Sequence, residues 1–267
     1  MAFASEFFAS EFPIMHQEKV GAIIERLKIG QSSPQPAGRK SNTTVFAFTY
    51  DNGVVLAGDR RMTDGYYEIA SDNTIKVKQL SKFSAIACAG SCNIIRYLED
   101  NMEAVCAIFK ERYQRELSPD GQANHLRNLM EGWWYFYVFY WYWSIGVPVL
   151  ATYDLEMGQP RIFSFAEDGF YFEPSFLAGT GCGFETVRGL IVDRWREDLD
   201  ADLAITLAVR AMIHSGVASH GVSDARIVPP KVALIDKEGF RWVPERLIIK
   251  KRDDLLKEIR GIRCLLC

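Results

Sequence analysis

The chain has 267 residues, of which 48% are apolar, 13% aromatic and 24% charged, enough to bury the core of one large domain and too apolar for a disordered or fibrous polypeptide. Thirty-one Lys and Arg against 34 Asp and Glu leave a net charge of -3 with no basic stripe, so no nucleic acid is expected as a partner. The longest apolar run, Trp133 to Trp143, spans eleven residues, about half the roughly 20 that a membrane-crossing helix needs, and no membrane segment is expected.

The first 42 residues differ in texture from the rest. Phe3-Ala-Ser-Glu-Phe7 is repeated directly as Phe8-Ala-Ser-Glu-Phe12, Pro13 breaks the pattern, and a short helical stretch is predicted from about Gln17 to Ile29. Gly30 to Asn42 has the composition of a flexible, protease-accessible linker. Residues 1–42 read as an appendage, either a docking arm or a removable pro-segment, and residues 43–267 as the folded domain. Glu6 and Glu11 interrupt the early apolar stretch and no basic run precedes it, which is unlike a secretory signal. A cytoplasmic location is expected, and six cysteines are too few for a disulfide scaffold. Cys264 and Cys267 have metal-ligand spacing, but no second Cys/His pair completes a site, so no metal or organic cofactor is implied.

From Thr43 the pattern alternates. Thr43 to Tyr50, a turn at Asp51-Asn52-Gly53, and Val54 to Asp59 predict a hairpin. Further strands are predicted at Thr74–Gln79 and Phe83–Ala89. Helical periodicity follows in Asn93–Glu116 and Ala123–Trp143. A second strand block covers Val147–Asp154, Arg161–Phe165 and Gly169–Ala178, closing on Gly179-Thr-Gly-Cys-Gly183. Two amphipathic helices (Phe184–Asp198, Leu203–His214), the strand pair Lys231–Asp236 and Phe240–Val243, and a charged helix from Glu245 to Arg260 complete the chain. Strands joined by short turns pair antiparallel, and helix pairs cover the outer faces of stacked sheets. The expected fold is a four-layer αββα sandwich of the α/β (α+β) class.

A three-residue hairpin loop with Gly53 in the left-handed region would place Thr43 opposite Arg61 and Asp59 opposite Val45, bringing three functional groups to one strand end. A two-residue loop at Asn52-Gly53 would turn Asp59 to the other face. A threonine hydroxyl alone is a poor nucleophile, and no partner with serine-hydrolase spacing accompanies a Gly-x-Ser-x-Gly elbow. A cut between Asn42 and Thr43 would free an α-amino group of pKa about 7.7 to 8.0, a base close to working pH. Until then the nitrogen is an amide, and residues 1–42 act as a mask.

Thr43-Thr-Val-Phe-Ala-Phe48, Gly53-Val-Val-Leu-Ala-Gly-Asp-Arg-Arg-Met-Thr63, Ile75-Lys-Val77 and Ala87-Cys-Ala-Gly-Ser91 together resemble the catalytic β-subunit of the 20S proteasome, of the Ntn-hydrolase superfamily. The resemblance covers nearly all of Thr43 to Ile249. Pro229-Pro-Lys-Val-Ala-Leu-Ile-Asp236 and Val243-Pro-Glu245 are most similar to the bacterial, actinobacterial type. The resemblance implies a threonine endopeptidase made as a self-processing precursor, with Thr43 as nucleophile, Lys76 as the catalytic lysine and Asp59 orienting it. It also implies the Gly90 N–H as oxyanion donor, Thr180 and Ser219 as supporting hydroxyls, and Met62, Cys88 and Cys92 beside the substrate pocket. Lys78 and Arg96 near that pocket would favour an acidic side chain, the thiols and Met62 an apolar one.

Implied partners are further copies in homo-oligomeric β rings, α-subunit rings, an ATP-dependent unfoldase ring and unfolded polypeptide substrates. Two departures point the other way: Gly216-Val-Ala-Ser-His-Gly221 lacks the family's Asp three residues before Ser219, and Asn42 stands where a glycine is common. They support a second reading, a non-catalytic structural ring subunit. A third is the simpler two-ring bacterial threonine peptidase, which lacks a long pro-segment. The aromatic run Trp133–Trp143 is apolar around the whole helix and is expected at a subunit contact. His125, His214 and His220 are expected to be structural.

Overall fold

The computed structural model describes residues 43–63, 69–140 and 146–265, without the side chains of 133–140 and 259–265. The repeat, the linker, Asn42, the aromatic side chains of Trp133–Trp143, the Cys264 side chain and Cys267 lie outside what is described.

Two five-stranded antiparallel sheets carry the fold. The first has the order β10-β1-β2-β11-β12, from β1 (Val45–Tyr50), β2 (Gly53–Gly58), β10 (Leu177–Thr180), β11 (Lys231–Asp236) and β12 (Gly239–Trp242). The second has the order β5-β6-β7-β8-β9, from β5 (Val77–Ser81), β6 (Ser84–Gly90), β7 (Gly146–Asp154), β8 (Gln159–Phe165) and β9 (Tyr171–Phe172). A small hairpin, β3 (Met62–Thr63) with β4 (Ile69–Ser71), stands apart and was not expected.

Alternation along the strands sorts the side chains into layers. Val45 and Ala47 meet Val54, Leu56, Ala87, Val149 and Ile162 between the sheets. Phe46 and Phe48 point the other way, against Val187, Ile191, Ala208 and Met212. Helices α1 (Cys92–Tyr113) and α2 (Pro119–Tyr140) cover the second sheet. On α1 the contact stripe is Ile94, Leu98, Met102 and Cys106, one residue per turn. The first sheet is covered by α3 (Phe184–Arg194), α4 (Ala201–Ala218) and also α5 (Glu245–Leu265), whose Ile248 and Leu255 enter the same core. One outer layer therefore holds three helices rather than the expected pair.

Two sequence expectations change. The predicted strand Gly169–Ala178 is two strands in different sheets, β9 and β10; Pro174 lies between them, and a residue without an N–H suits the crossing from one ladder to the other. The β1–β2 hairpin pairs Tyr50 with Gly53, leaving Asp51-Asn52 as a two-residue loop. Neither turn considered from sequence occurs, and Thr43 does not face Arg61. Gly53 is not in the left-handed region. It is glycine because a Cβ there would stand 2.4 Å from the Ile235 carbonyl oxygen of β11.

Candidate active site

The site forms where the first sheet ends beside the start of β5. Extending the β1–β2 register sets Thr44 opposite Asp59, and the Asp59 N–H donates to the Thr44 carbonyl at 3.0 Å. Regular pairing stops at Gly58, so face alternation no longer limits which groups meet. The Asp59 carboxylate, 1% exposed, accepts the N–H groups of Thr44 at 2.9 Å, Arg61 at 2.9 Å and Ser223 at 3.1 Å.

Lys76 stands immediately before β5 of the second sheet. Its Nζ lies 2.7 Å from Asp59 Oδ1 and 2.9 Å from Thr43 Oγ1. Burial pulls the Lys76 ammonium below the ordinary lysine range, and the Asp59 charge and hydrogen bond oppose that shift. The buried carboxylate thus favours the charged form of Lys76 against that burial, while Nζ donates to the threonine hydroxyl.

The segment after β10 closes on Thr43. Gly181 has φ +97°, and a Cβ there would stand 2.1 Å from the Thr43 carbonyl oxygen, so no side chain fits. That oxygen receives the Gly183 N–H at 3.4 Å and lies 3.7 Å from Cys182 Sγ.

The other predicted residues fall at varied distances from this centre. Thr180 ends β10 and pairs with Val45 in register, on the face between the sheets. Gly90 ends β6 with φ +136°, one residue before the Ser91–Cys92 start of α1. Ser219 follows the end of α4; its Oγ lies 3.2 Å from Cys182 Sγ, the same thiol that lies 3.7 Å from the Thr43 carbonyl oxygen. The Arg61 side chain departs from expectation. Its guanidinium holds Asp72 through Nε at 2.8 Å and Nη2 at 3.2 Å, and donates to the His220 carbonyl at 2.9 Å. The Arg61 backbone N–H serves the site, while its planar fork is matched by the facing Asp72 carboxylate.

Of the expected pocket residues, Cys92 is exposed with Sγ 3.8 Å from Met62 Sδ. Cys88 is buried in the core under α1, and that burial pushes its thiol well up. Sequence reasoning missed Ser215 and Ser223. Ser215 is a small polar residue on the otherwise apolar buried face of α4, which is a usable signal. Ser223 contributes its backbone N–H to Asp59 and its Oγ to the Arg60 N–H at 2.9 Å, and a backbone contact leaves no trace in residue type.

Two stacked antiparallel sheets between helix layers, with a threonine at the start of β1 beside a lysine and an aspartate, define an αββα sandwich of the Ntn-hydrolase type. Residues 40–224 match the family described as proteasome subunit. The chain is 33% identical over 218 residues to the proteasome subunit beta of Jonesia denitrificans, covering 80% of this chain and 70% of that one. It is 33% identical to the proteasome subunit beta of Streptomyces griseus subsp. griseus, covering 76% and 72%. It is 30% identical to that of Acidimicrobium ferrooxidans, covering 83% and 81%. The chain belongs to the proteasome subunit family, within its beta-type branch.

Proposed function

We propose that the chain is a threonine endopeptidase, made as a precursor and activated by a cut between Asn42 and Thr43. The observation that carries this reading is the single Lys76 ammonium bonded at once to Thr43 Oγ1 and to the buried carboxylate of Asp59. In the cut chain the freed α-amine of Thr43 takes the hydroxyl proton as Oγ1 adds to the scissile carbonyl carbon. Lys76 donates to the oxygen as its charge develops, and its positive charge keeps the nearby amine in the free-base form. The Gly90 N–H donates to the carbonyl oxygen of the tetrahedral adduct; one such donor is worth about 2.7 to 4 kcal/mol of barrier. Collapse breaks the C–N bond, the leaving amine takes the proton back, and water activated by the α-amine hydrolyses the ester.

The likeness to proteasome beta subunits supports assembly into rings with α-subunits; in this proposal the β rings are homo-oligomeric, an ATP-dependent unfoldase ring feeds them unfolded polypeptide, and the particle works in the cytoplasm. Thr43→Ala tests the nucleophile. It is expected to abolish both processing and peptide hydrolysis while rings still assemble, and persistent hydrolysis would move the nucleophile elsewhere.

One observation favours a second reading, a structural ring subunit. Gly216 stands where the family has an aspartate, and a Cβ there would lie 2.7 Å from the Ser223 carbonyl oxygen, so this backbone has no room for the carboxylate. Intact mass of assembled rings separates the two: a chain starting at Thr43 supports the peptidase, an uncut one the structural role.

A further inference from the structure

Once the peptide bond before Thr43 is cut, that residue keeps one covalent tie to the fold, through Thr44. Whatever grips Thr44 therefore sets where the Thr43 hydroxyl sits relative to Lys76. Thr44 is fully buried and is held at three atoms. Its N–H donates to Asp59 Oδ1 at 2.9 Å, its carbonyl accepts the Asp59 N–H at 3.0 Å, and its Oγ1 lies 2.8 Å from Ser215 Oγ.

Ser215, also fully buried, lies 3.2 Å from the carbonyl oxygen of Gly183. A carbonyl only accepts, so Ser215 donates to Gly183 and its oxygen receives the hydroxyl proton of Thr44. The donor chain runs one way, from Thr44 through Ser215 to Gly183. Gly183 closes the circuit, because its N–H reaches the Thr43 carbonyl at 3.4 Å. There is no slack in this contact: a Cβ at 183 would lie 2.1 Å from both Ser215 Oγ and Thr44 Oγ1.

We infer that Ser215 is a positioning residue for Thr43, acting through the hydroxyl of Thr44, which is present for that bond. The inference rests on Thr43 being the nucleophile and goes beyond it by naming what aims it. The bond joins α4, the start of β1 and the segment after β10, three pieces of chain that otherwise approach Thr43 separately. Losing it leaves Thr43 free to drift against Lys76, and a displacement of about 1 Å in a reacting group costs on the order of a hundredfold in rate.

The test uses Thr44→Val, Thr44→Ser, Ser215→Ala and the Thr44→Val/Ser215→Ala double variant in assembled rings, with intact mass confirming the Thr43 terminus and a fluorogenic peptide giving kcat and KM. Thr44→Val and Ser215→Ala are expected to lower kcat about 10- to 100-fold with KM within about threefold, since only the aim of the nucleophile changes. Thr44→Ser, which restores the hydroxyl, should return kcat to within about threefold of wild type, and the double variant should be no worse than the poorer single one. Unchanged kcat in processed Thr44→Val and Ser215→Ala rings would overturn the inference, as would Thr44→Ser failing as badly as Thr44→Val.

Should Ser215→Ala not assemble, Thr44→Val decides, because it leaves the Ser215–Gly183 bond in place. Failure of Thr44→Val to assemble would make the hydroxyl a folding determinant and also overturn the inference. Wild-type rings with a free Thr43 and no hydrolysis would overturn the nucleophile reading and this one with it, whereas active wild type with unimpaired variants overturns only the positioning.

Discussion

Replacing Asp59 by Asn keeps the shape of the side chain and removes its charge. Oδ1 accepts from Lys76 Nζ at 2.7 Å and the Thr44 N–H at 2.9 Å, and Oδ2 from the N–H groups of Arg61 at 2.9 Å and Ser223 at 3.1 Å. All four partners are donors, so either orientation of an amide aims its NH2 at two of them. Two charge-assisted hydrogen bonds at about 1.5 to 3 kcal/mol each are lost. Breaking a buried ion pair by removing one partner costs about 3 to 5 kcal/mol by direct comparison; these are two views of one loss, so Asp59→Asn should destabilise the subunit by about 3 to 5 kcal/mol. For a domain of this size the thermal midpoint should fall by about 10 °C. Lys76 loses its anchor at the same time, and kcat/KM should drop about a hundredfold or more. Urea unfolding of the isolated subunit and peptide hydrolysis by assembled rings measure the two effects. A stability loss under about 1 kcal/mol together with unimpaired hydrolysis would refute the account of Asp59 as the shared acceptor of the site.

Three further outcomes follow from the same structure. Burial lowers the Lys76 ammonium below its ordinary 10.5, so above the folded value the unfolded chain binds the extra proton and stability rises with pH up to 10.5; Lys76→Met should remove that rise, and an unchanged slope of urea midpoint against pH would refute it. Burial raises the Glu99 carboxyl from 4.5 to about 7, so the folded chain holds a proton that the unfolded one releases and stability falls as pH climbs through that window. Glu99→Gln should flatten the fall, measured as thermal midpoints across the window, and an equal fall in both proteins would refute it. Gly216→Asp, which restores the family's carboxylate, would set a Cβ 2.7 Å from the Ser223 carbonyl oxygen and 3.1 Å from the Asp224 Cα. It should cost about 1 to 3 kcal/mol by overpacking, and a neutral or stabilising result in thermal denaturation would show that the backbone yields there.

Thr43, Asp59 and Lys76 are legible as a set because each stands in a segment that resembles the family's by residue type, Lys76 being reached with one extra residue in the Tyr66-Tyr67 stretch, and the structure brings them within hydrogen-bond reach. The route by which they meet is not legible. In a regular ladder a three-residue loop is what puts Asp59 on the face of Thr43. The observed two-residue loop would forbid that in a regular ladder, but the ladder has ended before Asp59, and beyond a strand end the two-residue alternation does not apply. Arg61 shows the same limit in reverse: a three-residue loop would set it opposite Thr43, while Asp72, which follows the small β3–β4 hairpin, holds its guanidinium.

Local physics in the sequence determined most elements and the layered class, since alternation, helical stripes and turn residues are short-range signals that any window of the chain carries. The splitting of Gly169–Ala178 between two sheets, the third helix on one face, and the use of Ser215 and Ser223 came only with the tertiary structure. Those features depend on which distant backbone stands opposite a residue. That is decided by the packing of whole layers, and a backbone N–H or a small hydroxyl pressed into such a contact has no counterpart in residue pattern.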